Sequence, residues 1–350
     1  MYDLLSMTQE EMVDFVREIG EPAYRAKQIM THILHGDSPE EMTTLPKLLR
    51  EKLRERAVWR LPKIVDKQVS AKDGTIKYLM ELSDGECVES VLMSYKHGHS
   101  LCISSQVGCR MGCRFCASTL GGRVRDLYAS EMLGQVIAAQ KESGNRVASI
   151  VMMGIGEPLD NYEQAVLFIR RITSPDSLNI GARHISLSTC GVVPGIYRLA
   201  EEDLAITLSI SLHAATDDAR SSIMPINNAY PLHELLVAVS DYFQKTGRRI
   251  SFEYTLLAGE NDTEEHADRL AKLLHRYLSP APIHVNLIRV NEVKETGFRH
   301  GDKKSAELFA SALKRRGINA TLRRRLGADV DAACGQLRRK NAAGSQQKDN

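Results

Sequence analysis

Three cysteines, Cys109, Cys113 and Cys116, fall within LCISSQVGCRMGCRFCASTL (Leu101–Leu120) at the spacing C-x3-C-x2-C. Thiolates this close cannot share one face of a regular helix or strand, so they belong to a loop wrapped around a bound group. Structural zinc usually takes four ligands, often as two separated pairs, and no second pair follows here. Three cysteines suit a 4Fe–4S cluster with one iron left open to a substrate, since thiolate is the usual iron–sulfur ligand. A zinc loop in an RNA-binding protein is the alternative from another class.

Further polar residues stand where apolar runs stop. Met153-Gly-Ile-Gly-Glu-Pro158 combines glycines, which let a backbone approach a ligand, with a carboxylate, making Gly156 and Glu157 candidate ligand contacts. Ser188 closes one apolar run, Ser211-Leu212-His213 another, and Asn291 stands just past a third. A serine at a strand end commonly caps the next turn. Recurrence of such residues at one end of a sheet is what points to a binding site.

The elements that must position them change character along the chain. Residues 1 to about 60 carry helical periodicity: one helix begins at an N-cap Thr8 with early acids, a second spans Tyr24–Leu34 and a third, basic outside, Leu45–Arg56. From Lys63 to Met93 apolar and polar residues alternate, with Asp73-Gly74 and Asp84-Gly85 as hairpin turns, which predicts a small antiparallel appendage. After Ser100, strand candidates at Leu101–Ser105, Val147–Met153, His184–Ser188, Ile206–Leu212, Ile250–Leu257, Ile283–Ile288 and Ala320–Arg324 alternate with helical stretches. Those helices lie near Ser130–Glu142, Tyr162–Ile172, Pro194–Glu201, Leu232–Lys245, Glu264–Tyr277 and Lys303–Arg316. Six alternations predict an α/β fold with a parallel sheet and right-handed crossovers, and their length suits a partial (β/α)6 barrel better than a closed eight-unit one. The expected organisation is 1–60 helical accessory domain, 61–95 β extension, 96–328 barrel, 329–340 loop and 341–350 disordered tail.

Bulk composition narrows the class. With 350 residues, 43% of them hydrophobic, the chain can bury a large core. Lys+Arg 46 against Asp+Glu 44 is nearly balanced, so any polyanion site must be a local patch. Candidates are Pro46–Arg56, Arg248-Arg249, Arg323–Arg325 and Arg338–Lys340. Neither a signal peptide nor a membrane span is legible, so a cytoplasmic, membrane-independent protein is expected. Seven cysteines, an odd number, read as ligands or reactive thiols rather than a disulfide framework.

The cysteine spacing with Phe115 before the last cysteine resembles the signature of radical S-adenosylmethionine (SAM) enzymes. CISSQVGC with the cysteine triad, GIGEP, SLHA, MPIN at Met224–Asn227, HVNLI at His284–Ile288 and DVDAACGQL at Asp329–Leu337 are together similar to the RlmN/Cfr family, and closest to its RlmN branch. The likeness runs from the N-terminal helices to Leu337. It implies a radical SAM partial barrel that binds a 4Fe–4S cluster and two SAM molecules per turnover. The activity implied is methylation of C2 of an adenosine in 23S rRNA, and of adenosine 37 in tRNA; the Cfr branch methylates C8 instead. It further implies that Cys334 carries the methyl group, that Glu89 is the general base, and that Cys102 resolves the product by forming a disulfide with Cys334. Gly156, Glu157, Ser188, Ser211, Leu212, His213 and Asn291 are implied to hold SAM. A monomer fed by an electron donor such as flavodoxin or ferredoxin is expected. Cys87 and Cys190 receive no role.

Overall fold

A computed structural model of the chain describes residues 1–278, 282–289, 297–298, 301, 303–324, 326–327, 329–330 and 337. Cys334, Asn291, Arg325, Arg338–Lys340 and the tail 341–350 therefore lie outside the described residues.

Three helices open the chain: α1 (Gln9–Glu18), α2 (Arg25–His35) and α3 (Lys47–Arg56). The start of α1 is a reciprocal capping box, in which the Glu11 amide donates to Thr8 Oγ1 and the Thr8 amide donates to Glu11 Oε2. Met12, Phe15, Ile29, Ile33, Leu49 and Leu53 turn inward from the three helices and join the main core. One feature here had no strand signal: β1 (Tyr2–Asp3) pairs in parallel with β2 (Ala57–Val58), drawing the two ends of the helical unit together. Each strand is only two residues long, too short to show a period.

The alternating stretch folds as β3 (Lys63–Val69), β4 (Ile76–Glu81) and β5 (Cys87–Tyr95), antiparallel in sequence, and β5 pairs antiparallel with β6 (Gly98–Cys102). From β6 onward every pairing in the main sheet is parallel. The strands are β9 (Val147–Met152), β10 (Ile185–Thr189), β11 (Thr207–Ser211), β12 (Ile250–Leu256), β13 (Ile283–Arg289) and β14 (Asn319–Leu322). Between them run α4 (Ala129–Ser143), α5 (Tyr162–Thr173), α6 (Val193–Ala200), the short α7 (Asp217–Ile223), α8 (Leu232–Thr246), α9 (Glu264–Leu278) and α10 (Lys303–Arg315). The antiparallel strands are thus the continuation of a single ten-stranded sheet, with β14 at one edge and β3 at the other. A separate ribbon of β7 (Gln106–Gly108) and β8 (Arg123–Asp126) closes the base of the cysteine loop.

Register separates the two faces of the parallel sheet. Leu101, Ile150, Leu187, Leu208, Phe252, Val285 and Ala320 share the outer face and are buried against the helices. That row supplies the main apolar driving force, about 1.5–3 kcal/mol for each large side chain buried. The inner face is unlike it: Ser186, Ser209, Ser251, Glu253, His284 and Asn286 face inward, and the Ser186 and Ser209 hydroxyls lie 3.1 Å apart. A polar interior spends no apolar burial on itself, which is consistent with a lumen built for a ligand rather than for packing. The chain after β14 crosses to the opposite edge of the sheet. There the Gly327 amide donates to Asp73 Oδ2, and Asp329 accepts from Ser70 Oγ at 2.6 Å and from the Ala71 amide at 2.9 Å. The hairpin turn between β3 and β4 thereby receives the segment that leads toward Cys334.

Candidate active site

The loop from Cys109 to Gly122 is held shut at its base. The Cys109 amide donates to the Gly122 carbonyl at 2.9 Å, and Gly108, at φ +77°, has no room for a side chain because a Cβ would meet that same oxygen at 2.0 Å. Gln106 Nε2 donates to Asp126 and Asp160, and Arg110 pairs with Asp160 through two nitrogens, so charge closes the outside of the loop. Inside, the Cys116 amide donates to the Cys113 carbonyl, and Thr119 Oγ1 to the Cys116 carbonyl. Arg114 ties the loop tip to α7 through the carbonyls of Ile223 and Ser222.

All three cysteines line one cavity of about 210 Å³, together with Gly156, Glu157, Ser188, Ser211 and His213. These eight residues come from four separate segments, at the carboxyl side of the parallel strands, where open α/β sheets bind ligands. Leu212 does not reach the cavity. Its side chain is in the apolar core, its amide donates to the Glu253 carbonyl, and its carbonyl accepts from Arg220 Nε.

The glycines of the Gly154–Glu157 loop act first on the protein itself. A Cβ at Gly156, at φ +112°, would lie 2.7 Å from the Gln106 amide nitrogen, so this glycine lets the loop seat against residues 105–106. Glu157 is buried and accepts from the Leu159 amide at 3.0 Å and the Cys190 amide at 2.7 Å. Burial raises its pKa, while those amide bonds act the other way. One carboxylate therefore joins the loop after β9 to the loop after β10 at the cavity wall.

His213 is buried with φ +58°, and its Nδ1 accepts from the Thr255 amide at 2.9 Å. Burial and the nearby Arg220 charge lower its pKa to about 3, so the ring is neutral with its proton on Nε2. Its edge-on contact with Phe115, centroids 4.7 Å apart, links the cysteine loop to the end of β11.

Sequence reasoning missed Arg220, the largest fully buried side chain. Its guanidinium donates to the carbonyls of Leu212 (3.2 Å), Cys190 (2.6 Å) and Ser211 (3.3 Å) and to Asn227 Oδ1 (2.9 Å). It thereby gathers two strand-end loops of the cavity wall. Thr216-Asp217-Asp218 did signal the start of the helix that carries it, by an N-cap followed by acids. Arg220→Met is expected to lower stability by about 3–5 kcal/mol, because several buried acceptors lose their donor at once. Urea denaturation measures this.

Glu253, also missed, and Arg323, named from the sequence only as part of a basic run, line the cavity from β12 and from just past β14. Glu253 accepts from Asn286 Nδ2 at 2.7 Å, and burial raises its pKa against the pull of Arg323. Arg323, the first residue of that run, is thus half-buried with its side chain at the cavity, while Arg324 beside it is exposed. Arg248 lies before β12, at the opposite end of the strands, where it caps the carbonyls of Ala205 and Ile206.

Glu89 and Cys102 sit on the inner face of β5 and β6, beside the cavity rather than in its wall. Cys102 lies opposite Val91 and packs with Val91, Met93, Met153 and Leu326. Met153 also lines the cavity, so its side chain borders both the cavity and the cluster around Cys102. Ser104 Oγ donates to the Glu89 carbonyl at 2.7 Å and accepts from the Ile155 amide at 3.0 Å, linking the strand of Glu89 to the Gly154–Glu157 loop.

A parallel partial barrel with three loop cysteines and a glycine-glutamate loop at its mouth defines the radical SAM class. Residues 103–271 match the Radical SAM superfamily, and residues 2–58 match the ribosomal RNA large subunit methyltransferase N-terminal domain. The crystal structure of a radical SAM methyltransferase from Sphaerobacter thermophilus superposes with a TM-score of 0.90 at 41% identity, covering 96% of this chain and 99% of that one. The chain is 52% identical over 326 residues to the Pelotomaculum thermopropionicum protein named "Probable dual-specificity RNA methyltransferase RlmN", covering 93% of this chain and 88% of that one. A Clostridium perfringens protein of the same name is 49% identical over 341 residues, 97% of each chain. The chain belongs to the RlmN family of radical SAM RNA methyltransferases. That membership sets aside the zinc-stabilised RNA-binding alternative.

The family implies a 4Fe–4S cluster and SAM, and the donor set fits them. Burial pushes the Cys109 thiol up to about 12, with Glu157 and Cys116 adding to it, and burial raises Cys113 further. Three thiolates beside a buried carboxylate are tenable only against strong positive charge, which iron supplies. Among the described residues no group of three or more His, Cys, Asp or Glu side chains is arranged to hold a single metal ion. No described helix is long and apolar enough to cross a membrane.

Proposed function

We propose that the chain methylates C2 of an adenosine in 23S rRNA, and adenosine 37 of tRNA, through an S-methylcysteine at Cys334, using two SAM molecules per turnover. The observation that carries this reading is a cysteine-lined cavity that shares Met153 with the cluster around Cys102, on the inner face that also bears Glu89. It stands in a chain about half identical to enzymes named for dual specificity.

Adenine C2 is an electron-poor amidine carbon and does not attack a methyl sulfonium, so a polar transfer fails there. The Cys334 thiolate instead takes the first methyl group by displacement. When bound, the cluster and the second SAM supply an adenosyl radical that removes one hydrogen atom from that S-methyl group. The carbon on the Cys334 sulfur adds to C2 and tethers the RNA. The adduct gives up one electron, returned to the cluster oxidised in cleaving SAM, and Glu89 takes the ring proton on a carboxylate oxygen while the C–H pair stays in the ring. The Cys102 thiolate then attacks the Cys334 sulfur. An S–S bond forms, the S–CH2 bond breaks with its pair on carbon, and that carbon takes a proton to become the methyl group. A thiol reductant resets the disulfide, which suits a monomer working in a reducing cytoplasm with flavodoxin or ferredoxin as electron source. Residues 1–60 serve as an RNA-binding accessory unit.

Methyl-deuterated SAM tests this. The product methyl is expected to carry two deuteriums, with the third in 5′-deoxyadenosine, and the nucleoside should co-elute with C2-methyladenosine. Retention of all three deuteriums overturns the cysteine route, and co-elution with the C8 isomer assigns the Cfr-type outcome.

A further inference from the structure

Lys77 stands inside the sheet where an apolar residue would be expected. Its side chain has 0% of its surface exposed, that of Glu89 has 3%, and Nζ lies 3.0 Å from Glu89 Oε2. Lysine is almost never fully buried unless it answers a buried charge. The sequence builds the contact by register. The Asp84-Gly85 turn sets Glu81 opposite Cys87, which places Lys77 opposite Val91 and Leu79 opposite Glu89. Lys77 and Glu89 are therefore diagonal neighbours on one face, within reach of a long side chain.

A buried ion pair is a poor device for stability, because well-packed apolar residues of the same volume serve as well or better. Its presence beside the reaction face calls for another reason. A carboxylate out of water favours its neutral, protonated form, which cannot act as a base. A cation in contact keeps it ionised and fixes where its oxygens point.

We propose that Lys77 is the positioning residue of the base, holding Glu89 as a carboxylate aimed along the inner face until it takes the ring proton. This inference rests on the reading of Glu89 as the base. By register the titratable groups sharing that face include Lys63 and Asp66 on β3, Lys77 and Glu81 on β4, Cys87 at the start of β5 and Cys102 on β6. Val91 and Met93 continue the face on β5, Leu326 covers it from beyond β14, and Arg323 reaches Met153 at its border. Among the described residues, Lys77 Nζ is a cation in contact with the carboxylate, 3.0 Å from Oε2.

The test is single-turnover release of methylated RNA by reconstituted enzyme between pH 6 and 9, for wild type, Lys77→Met, Lys77→Arg and Glu89→Gln. Lys77→Met is expected to move the acid limb of the rate profile up by at least one pH unit, so that a loss of tenfold or more at pH 6.5 is recovered near pH 9. Lys77→Arg keeps a cation and should stay within half a unit of wild type. Infrared difference spectra, with the Glu89 band identified by its loss in Glu89→Gln, give a readout independent of turnover. Wild type should show an ionised carboxylate at pH 6.5, and Lys77→Met a protonated one. A protonated Glu89 in wild type at neutral pH overturns the proposal even if Lys77→Met fails to fold. So does an unshifted profile in Lys77→Met while Glu89→Gln is slow. Glu89→Gln turning over like wild type would instead remove the base assignment itself.

Discussion

Replacing Cys102 with alanine is expected to leave the protein covalently joined to its RNA. In the proposed sequence only the Cys102 thiolate cuts the S–CH2 bond at Cys334, so its removal halts turnover after the carbon–carbon bond has formed. Release of free methylated RNA should fall by roughly 10³-fold or more, the scale of losing a covalent-catalysis group. Cys102 is 6% exposed, lies in parallel register with Val151 and packs with Met153. Bulk thiols have little access to that place and should rescue poorly. Denaturing gels would show an RNase-sensitive shift in protein mass. Free methylated RNA appearing at the normal rate would remove the resolving role.

Cys113→Ala should abolish the reaction earlier. Cys113 is buried with Cys190, Ala214, Ile223, Met224 and Leu257. Cys190 lines the same cavity but belongs to the loop after β10, where its amide is held by Glu157, outside the C-x3-C-x2-C loop. The variant is expected to purify without the brown colour and iron content of the wild type. Formation of 5′-deoxyadenosine from SAM should fall by about 10³-fold or more, since two thiolates do not hold the cluster with one open iron. Cys87→Ser, at the far end of β5, should keep both. Iron analysis and product chromatography decide the matter. A brown, SAM-cleaving Cys113→Ala protein would contradict the ligand assignment.

The main strands and helices were legible because each long element shows an apolar row at its own period. The run from Val147 and the one from Ile250 end within a residue or two of where the strands end. The cysteine triad and the Gly154–Glu157 loop were legible because their residue types have few other uses at those spacings. What escaped was set by three-dimensional neighbours. Two-residue strands such as Tyr2–Asp3 have no period, and their partner lies more than fifty residues on, at Ala57. Arg220 reads as a surface residue of a short helix until the strand-end carbonyls converge on it. Glu253 announced itself only faintly, through Ser251, Glu253 and Thr255 alternating inside an otherwise apolar strand. The glycines of the Gly154–Glu157 loop were expected to admit a ligand; they first admit the neighbouring chain.

The docking of Asp329 on the hairpin turn at Ser70 and Ala71 has a quantitative consequence. Cys334 is five residues further along the chain, so its backbone can reach at most about 18 Å from that anchor. One thiol inside a sphere of that radius has an effective molarity on the order of tens of millimolar. Cys102 and the methyl carrier would then meet as parts of one reactant, in a first-order encounter. Releasing the Asp329 anchor would lengthen the tether and dilute that thiol without altering a single reacting atom.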